Sequence, residues 1–173
     1  MRSLNTELET LNSLSQEQAN AEFLKCCGSK TWAREMNEAR PFATVAELLV
    51  TADDVWSSLS KEDWLEAFGT HPKIGEKRGS TAQSEQAQKW STQEQAGVQE
   101  ATAETKSALA EGNRRYMDRF GFIFIICASG KSADEMLASL NKRLQNDPGT
   151  ELVIASEEQR KITRVRLEKL VKK

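Results

Sequence analysis

The chain has 173 residues, a formal net charge of −2, 38% hydrophobic residues and 29% charged residues. This composition is typical of a globular protein, and we predict a single domain over residues 1–173. The slightly acidic balance, without a dominant lysine or arginine block, argues against a nucleic-acid partner and against a membrane surface. The three cysteines form no CxxC pair, and neither a signal peptide nor an apolar run of ~20 residues is present, so we expect a cytoplasmic protein.

Capping boxes predict where helices begin. In this motif a Ser or Thr is followed three residues later by Glu or Gln, and both side chains pair with main-chain N–H groups of the first turn. The chain contains these five pairs: Ser15/Gln18, Thr44/Glu47, Ser91/Glu94, Ser132/Glu135 and Ser156/Gln159. Predicted helix ends lie at Gly28, Pro41, Gly69 and Gly112. With 9 glycines and 3 prolines there are few turns to join strands, so we predict an all-α fold of about seven or eight helices.

Two stretches interrupt the helical pattern. Residues 71–83, HPKIGEKRGSTAQ, are rich in turn-forming residues and predict a loop. Residues 120–128, FGFIFIICA, are aromatic and β-branched without alternation, which predicts a short buried strand or extended apolar segment near 122–128. Cys127 within it is interpreted as a core thiol, with a cysteine–histidine dyad as the alternative.

His71 is the only histidine in the chain, and Pro72 follows it. Proline biases the backbone of the preceding residue toward extended conformations, which restricts how His71 is presented. A single histidine with no acidic cluster at ligand spacing predicts no metal site, whereas general acid–base catalysis needs only one imidazole. The alternative is a loop histidine without a catalytic role.

The segment Ser91-Thr92-Gln93-Glu94-Gln95 has two interpretations. As a capping box, Ser91 and Glu94 would open a helix that runs toward Glu111. In the alternative, the free N–H groups and the dipole of that first turn would bind an anionic or carbonyl-bearing ligand, and Glu94 would face the ligand.

Arg166 is predicted to lie on a buried helix face. At about 100° per residue, it falls in the middle of an apolar face while Arg164 falls on the opposite side; the face is formed by Ile162, Val165, Leu167 and Leu170. A buried guanidinium needs an anionic or carbonyl partner, because it does not lose its proton. That partner is either an internal group or a substrate carboxylate.

Several motifs occur together in a characteristic order. They are His71-Pro72-Lys73-Ile74-Gly75, Ser91-x-x-Glu94-Gln95, Tyr116-x-x-x-Phe120-Gly121-Phe122 leading into Phe124–Ala128, and Arg166-Leu167. In this order and spacing the chain resembles the 2-oxo-4-hydroxy-4-carboxy-5-ureidoimidazoline (OHCU) decarboxylase family over nearly its whole length. Ile123 departs from the proline that many members have there, at a position without a catalytic role.

The resemblance implies an all-helical homodimer without cofactor or metal, which acts on a small-molecule substrate in purine catabolism and yields (S)-allantoin. It implies that His71 and Glu94 are the catalytic pair and that Arg166 is a third catalytic or substrate-binding residue. The implied pocket residues are Pro72, Ser91, Thr92, Gln93, Gln95, Phe124, Ile125, Ile126, Cys127 and Ala128. We expect Arg166 and the helix N-terminus to orient the ligand, His71 to exchange a proton, and Glu94 to hold a ureido or ring N–H.

Two other interpretations remain open from the residues themselves. A helical interaction module, binding a protein through exposed tryptophan or leucine side chains, would have no small-molecule pocket and would tolerate mutation of His71. An enzyme of the same fold could instead act on another ureido or cyclic-amide acid, and would then act on several uric-acid catabolites.

Overall fold

The computed structural model describes residues 5–73 and 85–172. The helices in these two ranges are α1 (Thr6–Ser13), α2 (Gln16–Cys26), α3 (Lys30–Glu38), α4 (Val45–Ser58), α5 (Lys61–Phe68), α6 (Glu85–Glu94), α7 (Ala96–Gln99), α8 (Ala103–Phe120), α9 (Ala133–Arg143) and α10 (Pro148–Val171). There is no strand within the described ranges, which confirms the all-α prediction, although these ten helices exceed the predicted seven or eight. The predicted loop at 71–83 lies largely outside the described residues.

The chain divides into two compact units. The first comprises Met1–Ala67 and Arg160–Lys173, and the second comprises Phe68–Gln159. Helix α10 contributes its C-terminal part to the first unit and its N-terminal part to the second. The single domain expected from composition stays a prediction.

The first unit is built on capped helices and an aromatic core. The Ser15/Gln18 capping box is present at the start of α2, and the Thr44 side chain caps α4 by accepting from the Glu47 N–H. Phe23 and Trp32 are fully buried, with ring centroids 5.9 Å apart and planes nearly perpendicular. These caps confirm two of the helix starts predicted from the sequence.

In the second unit, α8 and α9 pack closely at a glycine. The sequence predicted that Gly112 ends a helix, but it lies inside α8, where a Cβ would overlap the Leu140 side chain. Gly121, with φ of 80°, is the residue that ends α8, because its left-handed conformation suits glycine. Ser132 and Glu135 form the predicted capping box of α9. Gly112 therefore allows helix contact, and Gly121 provides the cap.

Two predicted helix starts are wrong. Ser91 lies in the last turn of α6 and Ser156 lies inside α10. Their hydroxyls donate to main-chain carbonyls of the preceding turn, Ser91 to Ala87 at 3.0 Å and Ser156 to Val153 at 2.7 Å. A helix interior can satisfy a serine hydroxyl in this way, so a Ser-x-x-Glu or Ser-x-x-Gln pattern does not by itself define a helix start.

None of the helices in the described part of the chain combines the length and the apolar composition needed to cross a lipid bilayer.

Candidate active site

The apolar segment Phe124–Ala128 lies in the connection between α8 and α9 and forms neither a helix nor a strand. Phe124, Ile125, Ile126 and Ala128 are buried, and Cys127 is partly exposed. The predicted buried, non-helical character is thus observed, although the strand alternative is wrong. A segment without a strand partner must satisfy its buried main-chain polar groups in another way.

Side chains from two helices provide part of that satisfaction. The Ile125 carbonyl accepts a hydrogen bond from Nη1 of Arg143 at 2.6 Å. The Cys127 N–H donates to Oε1 of Glu158 at 3.1 Å. Arg143 is the last residue of α9 and Glu158 belongs to α10, so these helices hold the segment from two positions along its main chain.

A buried polar network fixes the position of Arg143. Its Nε donates at 2.6 Å to Glu151, whose side chain is fully buried, and the Tyr116 hydroxyl donates to the same carboxylate oxygen. The second carboxylate oxygen accepts from Nδ2 of Asn146 at 3.1 Å. The Arg143 guanidinium also lies 4.6 Å from the centroid of the Phe124 ring. Burial, followed by the hydrogen bond to Glu151, raises the pKa of Tyr116, so the phenol stays protonated and donates.

His71 lies two residues beyond Gly69, just after α5, and its ring contacts α10. The His71 N–H donates to the Phe68 carbonyl at 3.2 Å, which ties its main chain to the end of α5. Its Nε2 lies 2.6 Å from Oε1 of Gln159, a fully buried side chain. Pro72 is buried beside it. Because Glu158 and Gln159 are consecutive, one turn of α10 contacts both the main chain of Cys127 and the ring of His71.

The segment 91–95 lies at the end of a helix and not at its start. Ser91 and Glu94 share the buried side of α6, with 3% and 9% of their surfaces exposed, whereas Thr92 and Gln93 point to solvent. The Gln95 N–H donates to the Ser91 carbonyl at 3.1 Å, which continues the helical turn. The helix start predicted at Ser91 is therefore wrong, so the first turn that was expected to bind a ligand does not lie there, although Glu94 is buried.

A cavity of about 600 Å³ adjoins Glu94. It is lined from the α6–α7 region by Gln93, Glu94 and Gly97, and by Lys131 and Ser132, which immediately precede α9. A Cβ on Gly97 would overlap the Lys131 carbonyl oxygen, so glycine at this position allows α7 to lie close to the main chain of Lys131. The volume suits a small ligand, but the residues that line this cavity include neither His71 nor Phe124–Ala128.

Arg166 is buried in the first unit, as predicted, with 2% of its surface exposed. Its Nη1 donates to the Lys25 carbonyl at 3.2 Å, so one partner is an internal carbonyl. The neighbouring Cys26 and Cys27 are also buried. Burial raises the pKa of Cys27 to about 12, an effect that the Ser29 main chain, the Thr163 hydroxyl and the Arg166 charge only partly oppose. Burial therefore favours the neutral form of both thiols.

The described residues include no group of three or more His, Cys, Asp or Glu side chains placed to hold a metal ion. Within the second unit, His71 and the main chain of the Phe124–Ala128 segment, both of which the sequence identified, contact consecutive residues of α10. The residues that sequence reasoning missed are Arg143, Glu151, Glu158 and Gln159. The only sequence signal at Gln159 was the Ser156-x-x-Gln159 pattern, which predicts a capping box. In the structure Gln159 is instead a buried partner of the only histidine.

Comparison with known proteins gives consistent matches. A family model described as OHCU decarboxylase matches residues 12–168. The uric acid degradation bifunctional protein TTL of Arabidopsis thaliana is 40% identical over 158 residues, which are 91% of this chain and 48% of the plant protein. The chain thus spans about half the length of that relative. The 2-oxo-4-hydroxy-4-carboxy-5-ureidoimidazoline decarboxylase of Amia calva is 31% identical over 174 residues, covering 95% of this chain and 94% of the fish protein.

A solved structure is similar as well. The crystal structure of an OHCU decarboxylase in the presence of (S)-allantoin superposes with a TM-score of 0.77 at 39% identity, covering 88% of this chain and 99% of that chain.

Proposed function

Because the chain belongs to the OHCU decarboxylase family, we propose that it decarboxylates 2-oxo-4-hydroxy-4-carboxy-5-ureidoimidazoline to (S)-allantoin, the last step of urate-to-allantoin conversion. The observation that carries the proposal is the position of His71. The only histidine of the chain contacts Gln159, on the same turn of α10 whose Glu158 accepts from the Cys127 N–H, and this supports a shared site for His71 and the apolar segment.

The chemistry needs no bound electron acceptor. When the carbon–carbon bond to the carboxylate breaks and CO2 leaves, the electron pair of the broken bond forms a double bond between the two ring carbons. The pair of the adjacent ring C=N then moves onto nitrogen, which takes up a proton. Transfer of the hydroxyl proton and protonation of the carbon that bears the ureido group restore a ring carbonyl. The product is a single enantiomer if that last proton arrives from one face only.

In this proposal three side chains carry the reaction. His71 exchanges a proton with the substrate hydroxyl or ring, because a histidine side chain accepts a proton as imidazole and delivers one as imidazolium near neutral pH. Glu94 accepts a hydrogen bond from a ureido or ring N–H, and its burial on α6 supports such a role. Arg166 orients an anionic group, because the planar guanidinium offers a fork of N–H donors that matches a carboxylate.

The proposed substrate-binding residues are the same as those implied by the sequence: Pro72, Ser91, Thr92, Gln93, Gln95, Phe124, Ile125, Ile126, Cys127 and Ala128. The hydrogen bonds of Ile125 and Cys127 restrict how two of them act. The Ile125 carbonyl already accepts from Arg143 and the Cys127 N–H already donates to Glu158, so a substrate that used either group would share or replace that contact.

The proposal also includes a homodimer in the cytoplasm, without cofactor. Light scattering of the purified protein at micromolar concentration measures the mass directly. A mass of about twice 19.4 kDa is expected, and a monomer mass across the concentration range contradicts the dimer.

The function is tested with freshly generated substrate, made from urate by oxidation and hydrolysis of hydroxyisourate. Its decay is followed by ultraviolet absorbance, and the handedness of the allantoin is followed by circular dichroism, with and without protein. Accelerated decay to an optically active product is expected. Decay at the spontaneous rate to a racemate, from folded protein, refutes the proposal.

The role of His71 is tested in the same assay. His71→Asn should lower kcat by a factor of roughly 10²–10⁴, the usual contribution of general acid–base catalysis. Lys142→Gln, a change at an exposed position on α9, is the control and should leave kcat unchanged. Near-normal turnover and stereochemistry in His71→Asn would show that the histidine has no catalytic role.

A further inference from the structure

Gln159 is a buried amide whose carbonyl oxygen contacts the only histidine. Its side chain has no exposed surface, and its Oε1 lies 2.6 Å from Nε2 of His71, a residue 88 positions away in the sequence. Burying an amide costs free energy unless its polar atoms are paired, so a glutamine at this position needs polar partners. The close contact with His71 is one of them.

The chemistry of the two groups defines which ring nitrogen carries hydrogen. An amide oxygen only accepts hydrogen bonds, so the nitrogen facing it must carry the proton. A neutral imidazole has one N–H, and with hydrogen on Nε2 its basic lone pair is on Nδ1. We infer that Gln159 is a positioning residue that holds neutral His71 in the Nε2–H tautomer and makes Nδ1 the nitrogen that accepts protons. Its catalytic consequence rests on the proposed function.

The backbone around His71 supports this role. The His71 N–H is bonded to the Phe68 carbonyl at 3.2 Å, and Pro72 restricts the conformation of the residue before it. With the main chain held at both sides, the contact with Gln159 restrains the orientation of the ring and favours hydrogen on the nitrogen that faces the amide oxygen. On α10 the neutral amide of Gln159 faces the ring at 2.6 Å, and Glu158, the preceding residue, is paired with the Cys127 N–H at 3.1 Å.

The first test is a spectrum of the free protein, which needs no substrate. Because the chain has one histidine, uniformly ¹⁵N-labelled protein without a polyhistidine tag gives only two imidazole nitrogen signals. Long-range ¹H–¹⁵N correlation at a pH where the ring is neutral shows which nitrogen carries hydrogen. The expected result is a protonated Nε2 and an unprotonated Nδ1. Hydrogen on Nδ1 overturns the inference.

Variants separate the accepting oxygen from the other properties of Gln159. Gln159→Glu keeps an accepting oxygen and should preserve the Nε2–H signature. Gln159→Leu keeps similar volume without an acceptor, and Gln159→Asn keeps the amide but is one methylene too short. Both should give signals averaged between the two tautomers. Gln145→Leu, at an exposed position after α9, is the control and should leave the spectrum unchanged.

Kinetics provide the second test. Gln159→Leu and Gln159→Asn should each lower kcat about tenfold, roughly the effect of one hydrogen bond to a group that becomes charged, and Gln159→Glu should restore part of it. If Gln159→Leu does not fold, Gln159→Asn and Gln159→Glu still decide the question. An unchanged spectrum or an unchanged kcat in Gln159→Asn overturns the positioning role. If the unmodified protein does not accelerate the reaction, the proposed function is refuted instead. The tautomer of His71 is then still decided by the spectrum, which needs no activity.

Discussion

The buried network around Arg143 gives a prediction of large magnitude. In Arg143→Met the side-chain stem is kept and the guanidinium is lost. The Glu151 carboxylate, which has no exposed surface, then loses its salt bridge, and the Ile125 carbonyl loses its donor. Removing one partner of a buried ion pair costs about 3–5 kcal/mol, because the other charge stays buried without compensation. We therefore expect the free energy of unfolding to fall by about that amount, which is a large part of the stability of a typical domain.

A double-mutant cycle separates the ion pair from the rest of the network. In Glu151→Gln the charge is removed but an acceptor remains for the Tyr116 hydroxyl and a partner remains near Asn146. Combining it with Arg143→Met leaves no unpaired buried charge, so the double variant should be more stable than the sum of the two single effects by about 2 kcal/mol.

The assay is urea unfolding followed by tryptophan fluorescence and by far-ultraviolet circular dichroism, with Arg114→Met as the control. Arg114 is exposed, with 62% of its side-chain surface accessible, and pairs with Glu111 and Asp118, so its replacement should change stability by less than about 0.5 kcal/mol. A cost below about 1 kcal/mol for Arg143→Met, or additive effects in the cycle, would refute the view that this network is a buried ion pair supporting the Phe124–Ala128 segment.

Three further predictions concern other parts of the chain. Gly112→Ala should destabilise the protein by about 1–3 kcal/mol in urea unfolding, despite the better helix propensity of alanine, because the added Cβ overlaps Leu140. Leu140→Ala should reduce that cost. Stabilisation by Gly112→Ala would contradict the close packing. The raised pKa of Cys27 means that the folded state favours the neutral thiol. The thiol's contribution to stability is therefore full below about pH 9, the ordinary pKa, and is lost as pH rises toward 12. Cys27→Ala should lessen the fall of the urea midpoint between these pH values, and an unaltered fall would contradict the linkage. Arg166→Lys should lower kcat with little change in melting temperature if the planar guanidinium orients substrate, whereas equal activity would exclude that role.

Local signals in the sequence predicted most of the fold. The capping boxes at Ser15 and Ser132 involve neighbouring residues only, so they could be identified without knowing the tertiary structure. The same pattern failed at Ser91 and Ser156, because a serine hydroxyl inside a helix donates to the preceding turn and leaves the pattern unchanged. Local motifs therefore show where a helix can start, while the rest of the helix decides whether it does.

The candidate site was only partly predictable for a related reason. His71 and Arg166 were identified because their residue types are unusual in their positions, a single histidine and a cation on an apolar face. Gln159 was not, because its role depends on a contact with His71 across 88 residues of sequence. No periodicity or propensity carries information over that distance, so positioning residues are found only when the structure is known.

The Phe124–Ala128 segment shows why charged residues lie inside this helical protein. Helices satisfy their own main-chain groups, but a buried segment that is neither helix nor strand has no such internal pairing. Two of its main-chain groups pair instead with side chains that are long enough to reach them, the Ile125 carbonyl with Arg143 and the Cys127 N–H with Glu158. Arg143 in turn needs a buried anion, which Glu151 supplies. An apolar, non-helical segment in an all-α protein therefore predicts charged residues on helix faces that would otherwise be buried and apolar.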